Sequence, residues 1–196
     1  MDYKAALGLA NGLKGTLIEL GFGKGNSLRE FISYMNKGKI DKRNIWIYES
    51  FDGYREPTAE DVGKIKKGAD KRPPQPAYDI VHTINREVNL VKGYIEETLP
   101  SNYSTEPVAL IHSHLVSYTS TQHGLNVFKD KIEVGGLIVV TDYEVYPGTK
   151  QAVDEFVARN IAFTIIESNS KFTVIKRDKI QSFNNTSITR TRSILT

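Results

Sequence analysis

The stretch Leu-Ile-Glu-Leu-Gly-Phe-Gly-Lys-Gly-Asn-Ser at residues 17–27 constrains this chain more than any other. Apolar residues run into Glu19 and Leu20. Glycines follow at alternate positions, Gly21, Gly23 and Gly25, and a helical pattern then starts at Asn26-Ser27 and continues through Leu28-Arg29-Glu30-Phe31-Ile32. This order predicts a buried strand, a tight turn and a helix start. Glycine reaches backbone conformations closed to other residues and lets a ligand approach the main chain, at an entropic cost. The helix behind the turn offers unpaired N–H groups. The same succession holds nucleotides in doubly wound α/β folds.

The spacing separates the cofactors. A dinucleotide fingerprint, G-x-G-x-x-G, wants glycine at position 26. Here that position is Asn26, and the third glycine comes one residue early. The spacing therefore counts against a nicotinamide-dependent oxidoreductase. An acid, Glu19, precedes the turn, and Glu-x-Gly-x-Gly-x-Gly resembles the first motif of Rossmann-like methyltransferases that use S-adenosylmethionine (SAM). In that group the turn lies against the methionine moiety.

Composition sets the outer limits. At 196 residues, 39% hydrophobic and 25% charged, the chain suits a single domain with a sizeable core. No apolar run reaches the roughly 18–20 residues that span a bilayer. The opening Met1-Asp2-Tyr3-Lys4 lacks the apolar core of a secretion signal, so the expected compartment is the cytoplasm, with no membrane partner. The absence of cysteine excludes disulfides, thiolate metal sites and cysteine nucleophiles. The net charge of +3 is partly gathered near the C-terminus, at Lys171, Lys176, Arg177, Lys179, Arg190 and Arg192. A nucleic-acid-binding face would interleave basic residues with aromatics on folded structure, whereas the last fifteen residues are polar and uncharged for the most part, and no nucleic-acid partner is expected. Residues 182–196 are rich in Asn, Ser and Thr. They predict a flexible polar tail (181–196) behind a single domain over 1–180.

Strand-like runs occur at Thr16–Leu20, Asn44–Tyr48, Val88–Lys92, Val108–His112, Leu137–Thr141, Phe163–Glu167 and Phe172–Lys176. Helical patterns cover Ser27–Asn36, Tyr78–Val88, Gly93–Thr98, Ser120–Ile132 and Gly148–Arg159. The alternation predicts an α/β fold with a mainly parallel seven-stranded sheet and helices on both faces. Ser168-Asn169-Ser170 predicts a hairpin, so the last strand should run antiparallel. Residues 52–77 break the rhythm with Gly53, Pro57, Gly63, Gly68, Pro73, Pro74 and Pro76 among several lysines. A long connection after strand two emerges at the carboxyl edge of the sheet, where a lid or insertion belongs.

Glu49 stands at the tip of the second strand, where an acid commonly accepts from nucleotide ribose hydroxyls. A carboxylate can accept from both hydroxyls at once. Ser50 and Phe51 follow and are placed to line an adenine pocket. The lone Trp46 reads as core packing, and Lys150 and Arg159 as a solvated helix face.

Tyr48-Glu49-Ser50-Phe51-Asp52-Gly53 resembles part of the macrocin O-methyltransferase (TylF-type) family. So do Val91-Lys92-Gly93-Tyr94-Ile95-Glu96-Glu97-Thr98-Leu99-Pro100 and Gly135-Gly136-Leu137-Ile138-Val139-Val140-Thr141-Asp142-Tyr143. Pro147-Gly148-Thr149-Lys150-Gln151-Ala152-Val153-Asp154-Glu155-Phe156 completes the series, in family order. The resemblance spans residues 16–176. It implies a Rossmann-like methyltransferase fold and SAM-dependent transfer of a methyl group to a hydroxyl of a small acceptor, often a sugar of a natural product. It also implies magnesium in many members, and related enzymes are often oligomeric. The implied SAM contacts are Glu19, Gly21, Gly23, Ser27 and Glu49, with Gly25 in the turn and Ser50 beside the acid. Gly93 and Tyr94 would lie near the adenine, and His112 near the methionine end.

The metal and catalytic positions depart from the family pattern. Aligned on Tyr118-Thr119-Ser120-Thr121, the family's Asp-x-Asp falls on His114 and Val116, and its Asp-Asp pair on Thr141 and Asp142. Magnesium prefers carboxylate oxygens, and one carboxylate survives. His114 and Asp142 are the remaining candidates for a metal, which would need a third ligand; His112 and His123 are near in sequence. The same two residues are the catalytic candidates, with His114 as general base, since an imidazole titrating near neutrality suits removal of a hydroxyl proton. Tyr118 and Tyr143 are candidates for the acceptor pocket. A SAM-binding protein without methyltransferase activity is the alternative that the replaced acids favour.

Overall fold

The computed structural model describes residues 3–84, 87–99, 101–103 and 106–180. The expected tail at 181–196 lies outside the described residues. The elements in chain order are α1 (Tyr3–Ala10), β1 (Thr16–Leu20), α2 (Asn26–Asn36), β2 (Ile45–Glu49), α3 (Gln75–Thr83) and β3 (Val88–Lys92). They continue with α4 (Ile95–Thr98), β4 (Val108–Ser113), α5 (Tyr118–Phe128), β5 (Ile132–Thr141), α6 (Pro147–Arg159), β6 (Phe163–Ser168) and β7 (Phe172–Arg177).

The strands form one sheet in the order β3-β2-β1-β4-β5-β7-β6. The first five are parallel, and β7 runs antiparallel between β5 and β6. The strand order reverses between β1 and β4, which opens a crevice at their carboxyl ends, where such sheets bind ligands. β1 and β4 are buried along their whole length, as central parallel strands covered on both faces are. One face packs α1, α2 and α3 through Leu7, Phe31 and Ala77; the other packs α4, α5 and α6 through Ile95, Phe128 and Val153. Trp46 packs edge-on to Tyr103 at 5.5 Å between ring centres, a core contact.

Several boundaries differ from the sequence pattern, each for a local reason. Helix α1 was not expected. Its eight residues are too few for a clear 3.6-residue period, and Ala6, Leu7 and Ala10 are buried only because β4 and β5 lie beneath them. Strand β5 begins at Ile132 rather than Leu137. Gly135, with φ at 90°, and Gly136 form an irregularity in the β4–β5 pairing instead of ending the strand. A Cβ on Gly136 would lie 2.8 Å from the Glu133 carbonyl oxygen. Helix α3 starts at Gln75, because proline fits a first turn whose N–H groups need no partner, and stops at Thr83. Helix α5 spans Tyr118–Phe128 rather than Ser120–Ile132, with the Ser117 hydroxyl accepting from the Ser120 N–H as its cap. Helix α4 excludes Gly93 and Tyr94, since Gly93 has φ at 136°.

Candidate functional site

The glycine turn is built of left-handed residues. Gly21, Gly23 and Gly25 have φ at 87°, 55° and 72°, and Gly25 caps the start of α2. Gly21 donates to the Tyr48 carbonyl at 2.8 Å, tying the turn to the end of β2. Added side chains would meet different things. At Gly21 a Cβ would sit 3.2 Å from Cβ of His114, and at Gly25 it would sit 2.6 Å from the Phe22 ring. At Gly23 it would meet nothing within 4 Å, so the middle glycine faces open space. Glu49 fixes the geometry from the side: its Oε2 accepts from the Phe22 N–H at 2.9 Å, and its Oε1 from the Phe51 N–H at 3.1 Å. Each carboxylate oxygen has a second lone pair, so the group can still accept from a ligand.

A cleft of about 260 Å³ opens along the carboxyl ends of the parallel strands. Gly21 and Gly23 form its floor, with Glu49, Ser50, Gly93 and Tyr94 on the β2–β3 side. His114 and Asp142 face it from the β4–β5 side. Glu19, Gly25, Ser27 and His112 do not line it: Phe22 covers Gly25, and Glu19, Ser27 and His112 are buried beneath the turn. Tyr118 and Tyr143 turn away, a correction to their expected place. The Tyr118 hydroxyl donates to Glu155 on α6 at 3.0 Å, and that of Tyr143 donates to Asp154. Tyr54 and Tyr146 line the cleft along with Tyr48 and Tyr94.

Residues 52–77, expected as a lid or insertion at this edge, supply a wall through residues that no spacing rule singled out. Tyr54, Arg55, Asp70 and Arg72 line the cleft. The segment folds on itself, with the Tyr54 N–H donating to Ala69 and the Gly68 N–H donating back to Tyr54. Arg55 lies 4.2 Å over the Tyr94 ring and pairs with Glu96 at 3.2 Å and with Glu97. Asp61, only 2% exposed, anchors the far end. Its Oδ2 accepts from the Thr58 N–H at 2.9 Å and its Oδ1 from the Tyr118 N–H at 2.8 Å. Gly148 makes room for this carboxylate, since a Cβ there would lie 2.0 Å from Asp61 Oδ1.

His114 is held at both ring nitrogens. Nδ1 lies 2.9 Å from the Thr141 hydroxyl, and Nε2 lies 3.3 Å from the Ser27 hydroxyl. The Thr141 hydroxyl donates its one hydrogen to the Ser113 carbonyl at 3.1 Å, so Nδ1–H donates to Thr141 and Nε2 carries the lone pair. Burial lowers the pKa of His114, and the negative charges of Asp142 and Glu49 partly restore it. His112 is lowered well below its ordinary value by burial and by His114. Glu19 is pushed up to about 8, chiefly by burial, with the Ser27 hydroxyl opposing and Glu49 adding to the shift. The Ser27 hydroxyl forms its hydrogen bond with His114, and neither oxygen of Glu19 has a hydrogen-bond partner of ordinary geometry.

The family's magnesium chemistry does not fit these residues. Of His114, Val116, Thr141 and Asp142, the positions the resemblance implies for metal ligation, Asp142 is the single carboxylate, and Thr141 spends its hydroxyl on Ser113 and His114. Magnesium prefers an octahedron of hard oxygens. Among the described residues, the donors that converge in a group of at least three are Glu19, His112 and His114; Asp142 and His123 are not among them.

A glycine turn over the crevice of a doubly wound sheet, with an acid at the tip of β2, defines a Rossmann-like cofactor-binding fold. The chain belongs to the macrocin O-methyltransferase (TylF) family, whose model matches residues 5–175. It is 25% identical over 166 residues to demethyldecarbamoylnovobiocin O-methyltransferase of Streptomyces niveus, covering 77% of this chain and 61% of that protein. It is 22% identical to the 8-demethyl-8-(2,3-dimethoxy-alpha-L-rhamnosyl)-tetracenomycin-C 4'-O-methyltransferase of Streptomyces olivaceus, covering 81% of this chain and 64% of that one. The chain thus spans under two thirds of either relative. Among solved structures, the fold is similar to the O-methyltransferase NovP (TM-score 0.74, 23% identity, 84% of this chain and 72% of NovP). It is also similar to the calicheamicin methyltransferase CalS11 (TM-score 0.73, 18% identity, 88% and 76%).

Proposed function

We propose that this protein is a SAM-dependent O-methyltransferase that acts on a hydroxyl of a small acceptor, a sugar or sugar-bearing natural product. The observation that carries this reading is the turn of three left-handed glycines facing a cleft beside Glu49, in a chain of this family. Bound in the cleft, SAM supplies an electrophilic methyl group. Glu49 accepts from the ribose hydroxyls while holding the turn through Phe22 and Phe51. Ser50, Gly93 and Tyr94 flank the adenine, with Arg55 stacked on Tyr94 from outside. Residues 52–77 wall off the acceptor side and exclude water.

On the β4–β5 side, Asp142 positions the acceptor hydroxyl and His114 Nε2 takes its proton. With SAM held by the glycine turn and Glu49, the acceptor oxygen would form its bond to the methyl carbon as the carbon–sulfur bond breaks, with the neutral thioether as the leaving group. The lowered pKa of His114 keeps it neutral, hence able to accept, at neutral pH. Before it acts, Nε2 must exchange Ser27 for the acceptor. The rest of the rate comes from holding the two reactants in line.

The engagement of Nε2 by Ser27 supports a second reading, a protein that binds SAM without methylating. Both are tested by calorimetry with S-adenosylhomocysteine and by methyl transfer to a panel of hydroxylated acceptors. Binding with transfer supports the first reading. Binding without transfer to any acceptor supports the second, and absence of binding defeats both.

A further inference from the structure

The cleft leaves unused the most unusual chemistry in the molecule, which lies beneath its floor. Glu19 and His112 are direct register partners on the adjacent parallel strands β1 and β4, so their side chains leave the sheet on the same face. His114 lies two residues beyond His112, and the two imidazoles meet edge to face with centres 4.3 Å apart. One ligand atom from each of Glu19, His112 and His114 lies within 4.8 Å of the others. Glu19 and His112 are fully buried, and neither oxygen of the Glu19 carboxylate has a hydrogen bond of ordinary geometry. A carboxylate taken out of water without a hydrogen bond is costly to keep unless it is paired or coordinates a cation.

We propose that Glu19, His112 and His114 form a two-histidine, one-carboxylate site for a borderline divalent transition metal such as zinc. The donor set suits that class: imidazole nitrogen with one hard oxygen selects zinc or its first-row neighbours over magnesium. Three protein ligands leave a position open toward the cleft, which an ion reaches past the half-buried His114. The lone pair of His114 is on Nε2, the nitrogen away from Thr141, and Thr141 holds the ring as an outer partner of a metal ligand does. Glu49 lies close enough to act on Glu19 and His114, and Asp142 on His114, so the charge around a dication is negative. Tetrahedral zinc sets its ligand atoms roughly 3.4 Å apart, so binding draws this group inward by up to an ångström or so. The site shares His114 with the pair His114 and Asp142, so an ion on Nε2 and proton removal by Nε2 exclude one another, and metal binding itself does not depend on methyl transfer.

The test uses the full chain, stripped with a chelator and dialysed against zinc or cobalt(II), with metal measured by mass spectrometry. The expected result is one zinc per chain and visible cobalt absorption. Glu19→Gln and His112→Asn should weaken zinc binding at least about 100-fold, more than loss of an outer partner does, while Asp142→Asn stays within about twofold of wild type. X-ray absorption on zinc-loaded wild type, expected to show two imidazoles, keeps the test decisive if a variant does not fold. Wild type that takes up no zinc or cobalt, an oxygen-only ligand shell, or binding lost in Asp142→Asn but kept in His112→Asn would overturn the proposal. S-adenosylhomocysteine binding, measured on the metal-free protein, reports on the cofactor site separately.

Discussion

The two halves of the cleft are built on different terms. On the β1–β2–β3 side, main chain does most of the work: left-handed glycines, a tip carboxylate that clamps two N–H groups, and open space at Gly23. On the β4–β5 side, side chains face the cleft, and of His114, Val116, Thr141 and Asp142 only Asp142 is an acid. A main-chain cradle tolerates few changes, because positive φ and close approach admit little besides glycine. A side-chain site can be rewritten residue by residue while the fold stays intact. Cofactor binding and chemistry should therefore come apart under mutation.

The largest effect is expected on the β4–β5 side. His114→Ala keeps the Cβ that packs against Gly21, so binding of S-adenosylhomocysteine should change little while turnover falls about 10²–10⁴-fold. Calorimetry beside a transfer assay checks this, and equal losses in both would erase the distinction between the halves.

Beneath the other half, Glu19 should make stability depend on pH. Its folded pKa of about 8 lies above the ordinary carboxyl value of 4.5. Its stabilising contribution is thus complete below pH 4.5 and declines as pH rises through 8. His112, with a lowered pKa, works in the opposite sense and is lost as pH falls below 6.5. Between about pH 6.5 and 8, metal-free wild type should therefore lose about 2 kcal/mol, at about 1.4 kcal/mol per pKa unit, that Glu19→Gln does not lose. Urea unfolding across that range reads the difference, and parallel curves would show that Glu19 is ionised in the fold.

Asp61→Ala should cost about 1–2 kcal/mol, since it strips partners from the N–H groups of Thr58 and Tyr118. It should also make residues 52–77 sensitive to protease while the sheet stays intact. Unaltered cleavage would mean that the segment is held by its other contacts. The smallest change, Gly21→Ala, places a Cβ at φ 87° and 3.2 Å from Cβ of His114. A penalty of about 1–2 kcal/mol should appear, and cofactor affinity should fall about tenfold. An unchanged affinity would show that the turn flexes to admit a side chain.

The positions of β1 and β3 were legible to the residue: β1 is a buried run that ends at the glycine turn, and β3, a half-buried edge strand, sets Val88, Leu90 and Val91 among polar residues and ends before Gly93. The glycine turn and Glu49 were legible because backbone needs select residue types locally. The burial of Glu19, Ser27 and His112 was not, since the spacing that suggested contact with a ligand does not say on which side of the turn a side chain falls. Nor were Tyr54, Arg55, Asp70 and Arg72, which reach the cleft only because Asp61 docks a proline-rich segment on the starts of α5 and α6.

By itself, the sequence determined the α/β alternation, the glycine turn, the acid at the tip of β2 and the family, because periodicity and backbone conformation are local properties of the chain. Tertiary structure alone decided which faces those residues present. It brought Glu19, His112 and His114 together from separate strands, left Asp142 on the cleft wall, and turned Tyr118 and Tyr143 toward α6. Strand register and the direction of each turn set those contacts, and both are decided by packing across the sheet.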